Sequence, residues 1–260
     1  MQPITKENSL ADIRGLIFDY GGTLDTSGRH WARVMEQAYR DEDIPANEES
    51  FRQAYIHAER TLGRTPLIKP DFSFRQTLAL KLQLQMEELR RIGAWLPDDE
   101  ELERKHRAVL ERLYKKVKET TTQSRRILER LGQDRPLVLV SNFYGNLTRV
   151  LSEMGLDHLF ESVVESAVVG VRKPDPRIFS LGVEALGFKA DEVLVVGDSF
   201  EKDILPAREV GCRTVWFKGE GWTEETVDST LPNVIIDRLD QLLPLMSASI
   251  PASPLRKPPL

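Results

Sequence analysis

An α/β fold, a doubly wound parallel sheet with an inserted helical segment, is what the sequence predicts. Three observations predict it. Through the second half of the chain, short apolar runs alternate with amphipathic helical stretches, the signature of strand–helix–strand units. A long block with only helical periodicity separates the first such run from the second. A carboxylate, a hydroxyl, an ammonium and a carboxylate pair each follow or flank one of these runs, and groups at the carboxyl ends of parallel strands share one crevice.

Taken in order, the first strand is Ile13 to Phe18, ended by Asp19 and the Gly21-Gly22 turn. The helical block follows. Trp31, Val34, Met35, Ala38 and Tyr39 share one helical face, as do Phe51, Ala54, Tyr55, Ala58 and Leu62. Two more helices are expected over Phe74–Leu89 and Asp98–Lys118, separated by Gly93 and Pro97. After Thr120 the alternation begins: helix Ser124–Leu131, strand Leu137–Val140, helix Asn146–Met154, strand Ser162–Val164 and helix Pro176–Leu186. Strand Val193–Val196, helix Glu201–Val210, strand Thr214–Phe217, an edge strand Val234–Ile236 and a last helix through Met246 complete it. Gly132, Gly155, Gly187 and Gly211 stand where glycine closes a helix. The expected division is a core of residues 10–25 and 121–246, an α-helical cap of 26–120 over the first strand's end, and a flexible Pro-rich tail of 247–260.

The composition narrows the function classes. A formal charge of −5 gives no basic stripe for nucleic acid. No apolar stretch approaches the roughly 20 residues that span a bilayer, so no membrane role is expected. The polar segment Met1–Ala11 lacks the apolar centre of a signal peptide, and the single cysteine, Cys212, excludes an internal disulfide. A cytoplasmic enzyme is the expectation.

Four stretches carry the chemistry: Ile17-Phe18-Asp19-Tyr20-Gly21-Gly22-Thr23-Leu24, Val140-Ser141-Asn142, Arg172-Lys173-Pro174-Asp175, and Val196-Gly197-Asp198-Ser199 with Asp203 beyond. Together they fit metal-assisted phosphoryl transfer through an aspartyl intermediate. Asp19 is the candidate nucleophile, and the backbone N–H groups at Gly21-Gly22 can approach an anion closely. Asp198, with Asp19 and the Gly21 carbonyl, offers the oxygens that a hard cation such as Mg²⁺ prefers. Ser141 and Asn142, at a strand-to-helix junction, suit a phosphate oxygen. Each also has a plainer reading as a turn residue or helix N-cap.

In order, spacing and identity the four stretches resemble the haloacid dehalogenase superfamily, mostly phosphatases with an aspartate nucleophile and magnesium. The resemblance runs from about Ile13 to Met246 and implies helical-cap architecture, a small phosphorylated substrate and Mg²⁺ as cofactor. It further implies that Lys173 neutralises the nucleophile and the phosphoryl group, that Gly22, Ser141, Asn142 and Lys173 cradle phosphate, and that Asp203 holds a metal-bound water. One position departs. Family phosphatases read Asp-x-Asp-Gly-Thr, and the second Asp is the acid–base group; here that position is Gly21. Asp25, four residues past Gly21, could stand in for that Asp, but its expected role is to cap the following helix. In dehalogenases the position of Gly21 is tyrosine, and Tyr20 stands one place early. In phosphonoacetaldehyde hydrolases that position is small and a cap lysine forms a Schiff base, for which the insertion offers Lys69 and Lys81. A catalytically weak phosphate- or partner-binding protein is the third alternative. Arg60, Arg64, Lys69 and Arg75 are read as the solvated face of the insertion.

Overall fold

The computed structural model describes residues 10, 12–222 and 227–247. Strands β1 (Gly15–Phe18), β2 (Leu137–Ser141), β3 (Ser162–Glu165), β4 (Val193–Gly197), β5 (Arg213–Phe217) and β6 (Val234–Ile236) form one sheet in the order β3-β2-β1-β4-β5-β6. Every neighbouring pair is parallel. Both faces are covered, which is why the central strands read as unbroken apolar runs. Leu16 and Phe18 pack into one core with Leu139, Val196 and the helices of the insertion. Ile17, between them, points to the other, with Val138, Val195, Ile178 and Phe179.

Four helices stand between β1 and β2: α1 (Trp31–Asp41), α2 (Glu48–Arg64), α3 (Phe74–Arg91) and α4 (Asp99–Leu131). Their starts are locally encoded. Asn47 accepts from the Ser50 amide, Ser73 and Gln76 form a reciprocal capping box, and Asp98 accepts from the Glu101 amide. The expected apolar faces of α1 and α2 are buried, apart from the partly exposed Trp31.

The expected pair of helices Asp98–Lys118 and Ser124–Leu131 is a single helix, α4, so the division expected at residue 120 falls inside it. The threonines at the expected break are satisfied within the helix. Thr120, Thr121 and Thr122 donate their hydroxyls to the carbonyls of Lys116, Val117 and Lys118. Val117, Thr121, Ser124, Leu128 and Leu131 keep one buried face through the junction.

The remaining helices are α5 (Leu147–Met154), the short α6 (Ser166–Val169), α7 (Arg177–Leu186), α8 (Leu205–Val210) and α9 (Leu242–Ser247). Gly155, Gly187 and Gly211 are left-handed at their helix ends, but Gly132 is not: its φ is −70°. The helix expected from Glu201 begins instead as a π-helical turn over Phe200–Ile204, and α8 follows. Pro206 has no N–H to give the carbonyl of residue 202, so a regular α-ladder cannot run through this segment. The stretch expected as a Pro-rich tail lies, after Ser247, outside the described residues. Among the described residues no helix is long and apolar enough to cross a membrane.

The strand order reverses between β1 and β4, the topological switch point at which open α/β sheets bind ligands. Phe18 pairs in register with Val196, and the Asp19 amide donates to the Val196 carbonyl at 3.0 Å. Asp19 and Asp198 therefore leave the sheet side by side.

Candidate active site

Asp19, Asp198 and Asp203 converge at this switch point, each offering one carboxylate oxygen within 4.8 Å of the others. Asp203 reaches the group from the π-helical turn and is fully enclosed. Lys173 enters from the loop after β3 and α6. Its Nζ donates to Asp19 Oδ1 at 2.7 Å and to Asp203 Oδ1 at 2.6 Å. Burial opposes the lysine's charge, but the two carboxylates outweigh it and its pKa is raised.

Ser141 Oγ donates to the same Asp19 Oδ1 at 3.0 Å. Asp19 Oδ2 has the Thr23 hydroxyl at 3.5 Å. That hydroxyl donates at 2.9 Å to Asp198 Oδ1 and accepts the Asp198 amide at 3.0 Å. The Trp216 indole donates to the Asp198 carbonyl at 2.9 Å, so strand β5 also fixes the site.

The charges do not balance locally. Three carboxylates face one lysine. Burial, then the charges of Asp19 and Asp203, push the Asp198 pKa far up, and Asp203 is also raised, by burial above all. An all-oxygen donor set held under mutual repulsion is the environment that a hard divalent cation relieves.

Several expected residues are in place with altered partners. Gly21 and Gly22 line the cavity. Gly22 has φ +101°, and a Cβ there would stand 2.4 Å from the Asp198 carboxylate oxygens, so glycine is required twice over. Its amide, expected to face phosphate, instead donates to Asp25 Oδ1 at 2.7 Å. The Asn142 side chain, likewise expected on phosphate, exchanges two hydrogen bonds with the Lys173 backbone, at 3.1 and 2.9 Å. It fixes the lysine's loop. Helix α5 begins at Leu147, one residue after the expected start, and Glu165 holds the loop before it by accepting the Gly145 and Leu147 amides.

Asp25 does not cap the following helix. His30 does, accepting the Ala32 amide on Nδ1. Asp25 turns inward to line the cavity, 1% exposed, and its Oδ2 accepts the Trp31 indole N–H at 2.9 Å. Burial chiefly, opposed by its two hydrogen bonds, brings its pKa up to about 7.

The insertion closes the other side of a cavity of about 190 Å³, with Trp31, Met35, Tyr55, Phe74 and Leu78 as its apolar wall. Two charged residues of the insertion, Glu59 on α2 and Lys81 on α3, also line it. They form an ion pair, with the Tyr144 hydroxyl donating to Glu59 at 3.0 Å and the Tyr55 ring 5.4 Å from the ammonium. Burial works against the Lys81 charge, but Glu59 outweighs it and raises the pKa well above the usual lysine value. Arg60, Arg64, Lys69 and Arg75 are exposed and none lines the cavity. Lys81 was legible in principle: it falls at the i+3 and i+7 register of the buried stripe Phe74, Thr77, Leu78, Leu82, Gln85.

The comparisons with known proteins agree with this architecture. Residues 13–211 match the haloacid dehalogenase-like hydrolase family. A phosphoglycolate phosphatase of Pectobacterium atrosepticum is 30% identical over 250 residues, covering 92% of this chain and 95% of its own. The crystal structure of a magnesium-bound HAD-hydrolase of Bacillus subtilis superposes with TM-score 0.57 at 21% identity, covering 90% of this chain and 98% of its own. The L-2-haloacid dehalogenase of Xanthobacter autotrophicus superposes with TM-score 0.56 at 18% identity, with the same coverage of both chains. Fold, family match and a relative aligned along nearly the whole chain lead to one assignment: this chain belongs to the haloacid dehalogenase-like hydrolases.

Proposed function

We propose that the protein is a Mg²⁺-dependent phosphatase for a small phosphorylated metabolite, working through an aspartyl phosphate at Asp19. The observation that carries this reading is the asymmetry of the Asp19 carboxylate. Oδ1 is held by Lys173 and Ser141 at 2.7 and 3.0 Å, whereas Oδ2 has the Thr23 hydroxyl at 3.5 Å, which leaves it the freer oxygen. A nucleophile held by one oxygen and free at the other is oriented before substrate arrives. Phosphatase names among relatives, including the Pectobacterium phosphoglycolate phosphatase, support an ester substrate.

Asp19, Asp198 and the Gly21 carbonyl are the groups to hold Mg²⁺, with Asp203 completing the set. When bound, the ion neutralises charge on the phosphoryl oxygens and on the carboxylates around it. Lys173 supplies a fixed positive charge beside the nucleophile, and Ser141 donates toward the same region. The helical insertion serves as a cap that excludes water with its apolar wall, while Lys81 presents a cation to the part of the substrate away from phosphorus. The cavity's size suits a small molecule.

A phosphonate hydrolase fits less well. Its lysine must be a neutral amine to form a Schiff base, whereas Lys81 is held cationic by Glu59 and Lys69 is exposed away from the cavity. The test is a panel of phosphorylated metabolites, with phosphonoacetaldehyde included, assayed with and without Mg²⁺. The reading expects Mg²⁺-dependent release of phosphate from a small ester. Release from phosphonoacetaldehyde alone, with inactivation by borohydride, overturns it in favour of the phosphonatase. Tight phosphate binding without turnover of any substrate leaves a binding protein.

A further inference from the structure

Gly21 removes the family's acid–base carboxylate, yet the cavity contains a carboxyl group that the nucleophile, metal and cap roles leave without a task. Asp25 is enclosed, lines the cavity, and is oriented by two fixed donors, the Gly22 amide on Oδ1 and the Trp31 indole on Oδ2. Each oxygen keeps a second lone pair, so neither bond blocks proton transfer. The backbone at Gly21 shows why this residue is placed to act. A Cβ built there meets nothing nearer than Trp31 Nε1, at 4.0 Å, the same atom that donates to Asp25 Oδ2. Position 21 and Asp25 thus both neighbour the Trp31 indole nitrogen, and all three residues line the cavity.

We propose that Asp25 is the general acid–base of the reaction, standing in for the carboxylate absent at position 21. The proposal rests on the phosphatase reading. In the first step an Asp19 oxygen bonds to phosphorus, the ester P–O bond breaks, and the Asp25 proton passes to the leaving oxygen, giving an alcohol and an Asp25 carboxylate. In the second, a water oxygen bonds to phosphorus, its proton returns to Asp25, and the P–O bond to Asp19 breaks, releasing phosphate. Both groups end as they began. A carboxyl titrating near neutrality is matched to both halves of this cycle, and burial brings Asp25 into that range. Trp31 is a positioning residue, acting through its bond to Asp25.

Leaving-group dependence separates this role from a purely structural one, in which Asp25 would only pin the Gly22 turn. The full-length protein and its Asp25→Asn variant are assayed with Mg²⁺ on a primary alkyl phosphate, whose leaving group needs a proton, and on 4-nitrophenyl phosphate, whose leaving group does not. The proposal expects kcat/KM, which reports the first step alone, to fall by about 10²–10⁴-fold on the alkyl ester and only a few-fold on the aryl ester. Adding Gly21→Asp to Asp25→Asn should recover kcat/KM on the alkyl ester. Equal losses of kcat/KM on the two esters, or an undiminished alkyl kcat/KM, overturn the role. Wild-type protein that hydrolyses neither ester overturns the phosphatase reading itself and this role with it, an outcome distinct from the others. Should Asp25→Asn fail to fold, Trp31→Phe releases one oxygen of Asp25 and keeps an aromatic ring in place. The alkyl-to-aryl ratio of kcat/KM should then fall, and an unchanged ratio counts against the proposal.

Discussion

Lys173 Nζ lies 2.7 Å from Asp19 Oδ1 and 2.6 Å from Asp203 Oδ1, both contacts enclosed within the protein. One ammonium thus ties the end of β1 to the π-helical turn after β4. Replacing it with a neutral side chain of similar length leaves two buried carboxylates without their counter-charge, which costs about 3–5 kcal/mol when a buried pair is broken this way. Lys173→Met should lose stability of that order in chelator and recover part of it with Mg²⁺, and its phosphatase turnover should fall in either case. Chemical denaturation with and without Mg²⁺ reads both. An unchanged midpoint in chelator would remove the lysine from its structural role.

Metal affinity should separate Asp198 from Asp203. Asp203 spends Oδ1 on Lys173 and Oδ2 on the Ser199 amide, whereas Asp198 gives Oδ1 to Thr23 and its carboxyl pKa is raised by burial and by the charges of Asp19 and Asp203. Asp198→Ala should therefore weaken Mg²⁺ binding more than Asp203→Ala, as a direct ligand compared with an indirect one. Calorimetric titration of both variants decides; equal or reversed losses break the assignment.

His30 provides a pH prediction outside the metal cluster. Burial first, then the charges of Lys202 and Lys81, lower its pKa to about 4. The unfolded chain, with a histidine near its usual value of about 6.5, binds more protons than the folded one between those two values. The stabilisation is therefore full above about pH 6.5 and is lost as pH falls toward 4. Protonation also removes the Nδ1 lone pair that caps α1. Wild type should lose up to about 3 kcal/mol relative to His30→Asn across that window. Parallel denaturation curves at pH 7, 5.5 and 4 would show it, and a pH-independent difference would contradict it.

Lys81→Met should raise KM for an anionic ester more than it lowers kcat, because Lys81 lines the cavity from α3 and is paired with Glu59 rather than with the carboxylates around Asp19. The same substitution leaves Glu59 without its cation, so Glu59→Gln/Lys81→Met is the control that removes both charges. A kcat effect as large as the KM effect would place Lys81 in the chemistry instead.

Much of this was written locally in the sequence. The parallel strands announce themselves because both faces are buried, and Asp19, Ser141 and Asp198 stand at strand ends, so finding the strands finds the crevice, while Lys173 and Asp203 reach it from a loop after α6 and from the π-helical turn. What stayed hidden depends on contacts between distant segments. Nothing near Asp25 signals that it turns inward, since its partners are a backbone amide and an indole whose placement depends on the start of α1. The Thr120–Thr122 run looked like a helix break because propensity is local, while the buried face from Val117 to Leu131 that overrides it is tertiary. Lys81 is the intermediate case: its register in the apolar stripe was readable, but only the Glu59 carboxylate explains why a charge is tolerated there.

The central claim is covalent chemistry at Asp19, and one measurement meets it directly. Protein is quenched in acid at intervals during Mg²⁺-supported turnover of a small phosphate ester, digested, and mapped by mass spectrometry for phosphorylated peptides. The account predicts a phosphoryl group on Asp19 that appears and decays with turnover, and none in Asp19→Asn, which should remain folded and inactive. Steady hydrolysis with Asp19 unmodified at every quench time, or with the phosphoryl group on another residue, would contradict it.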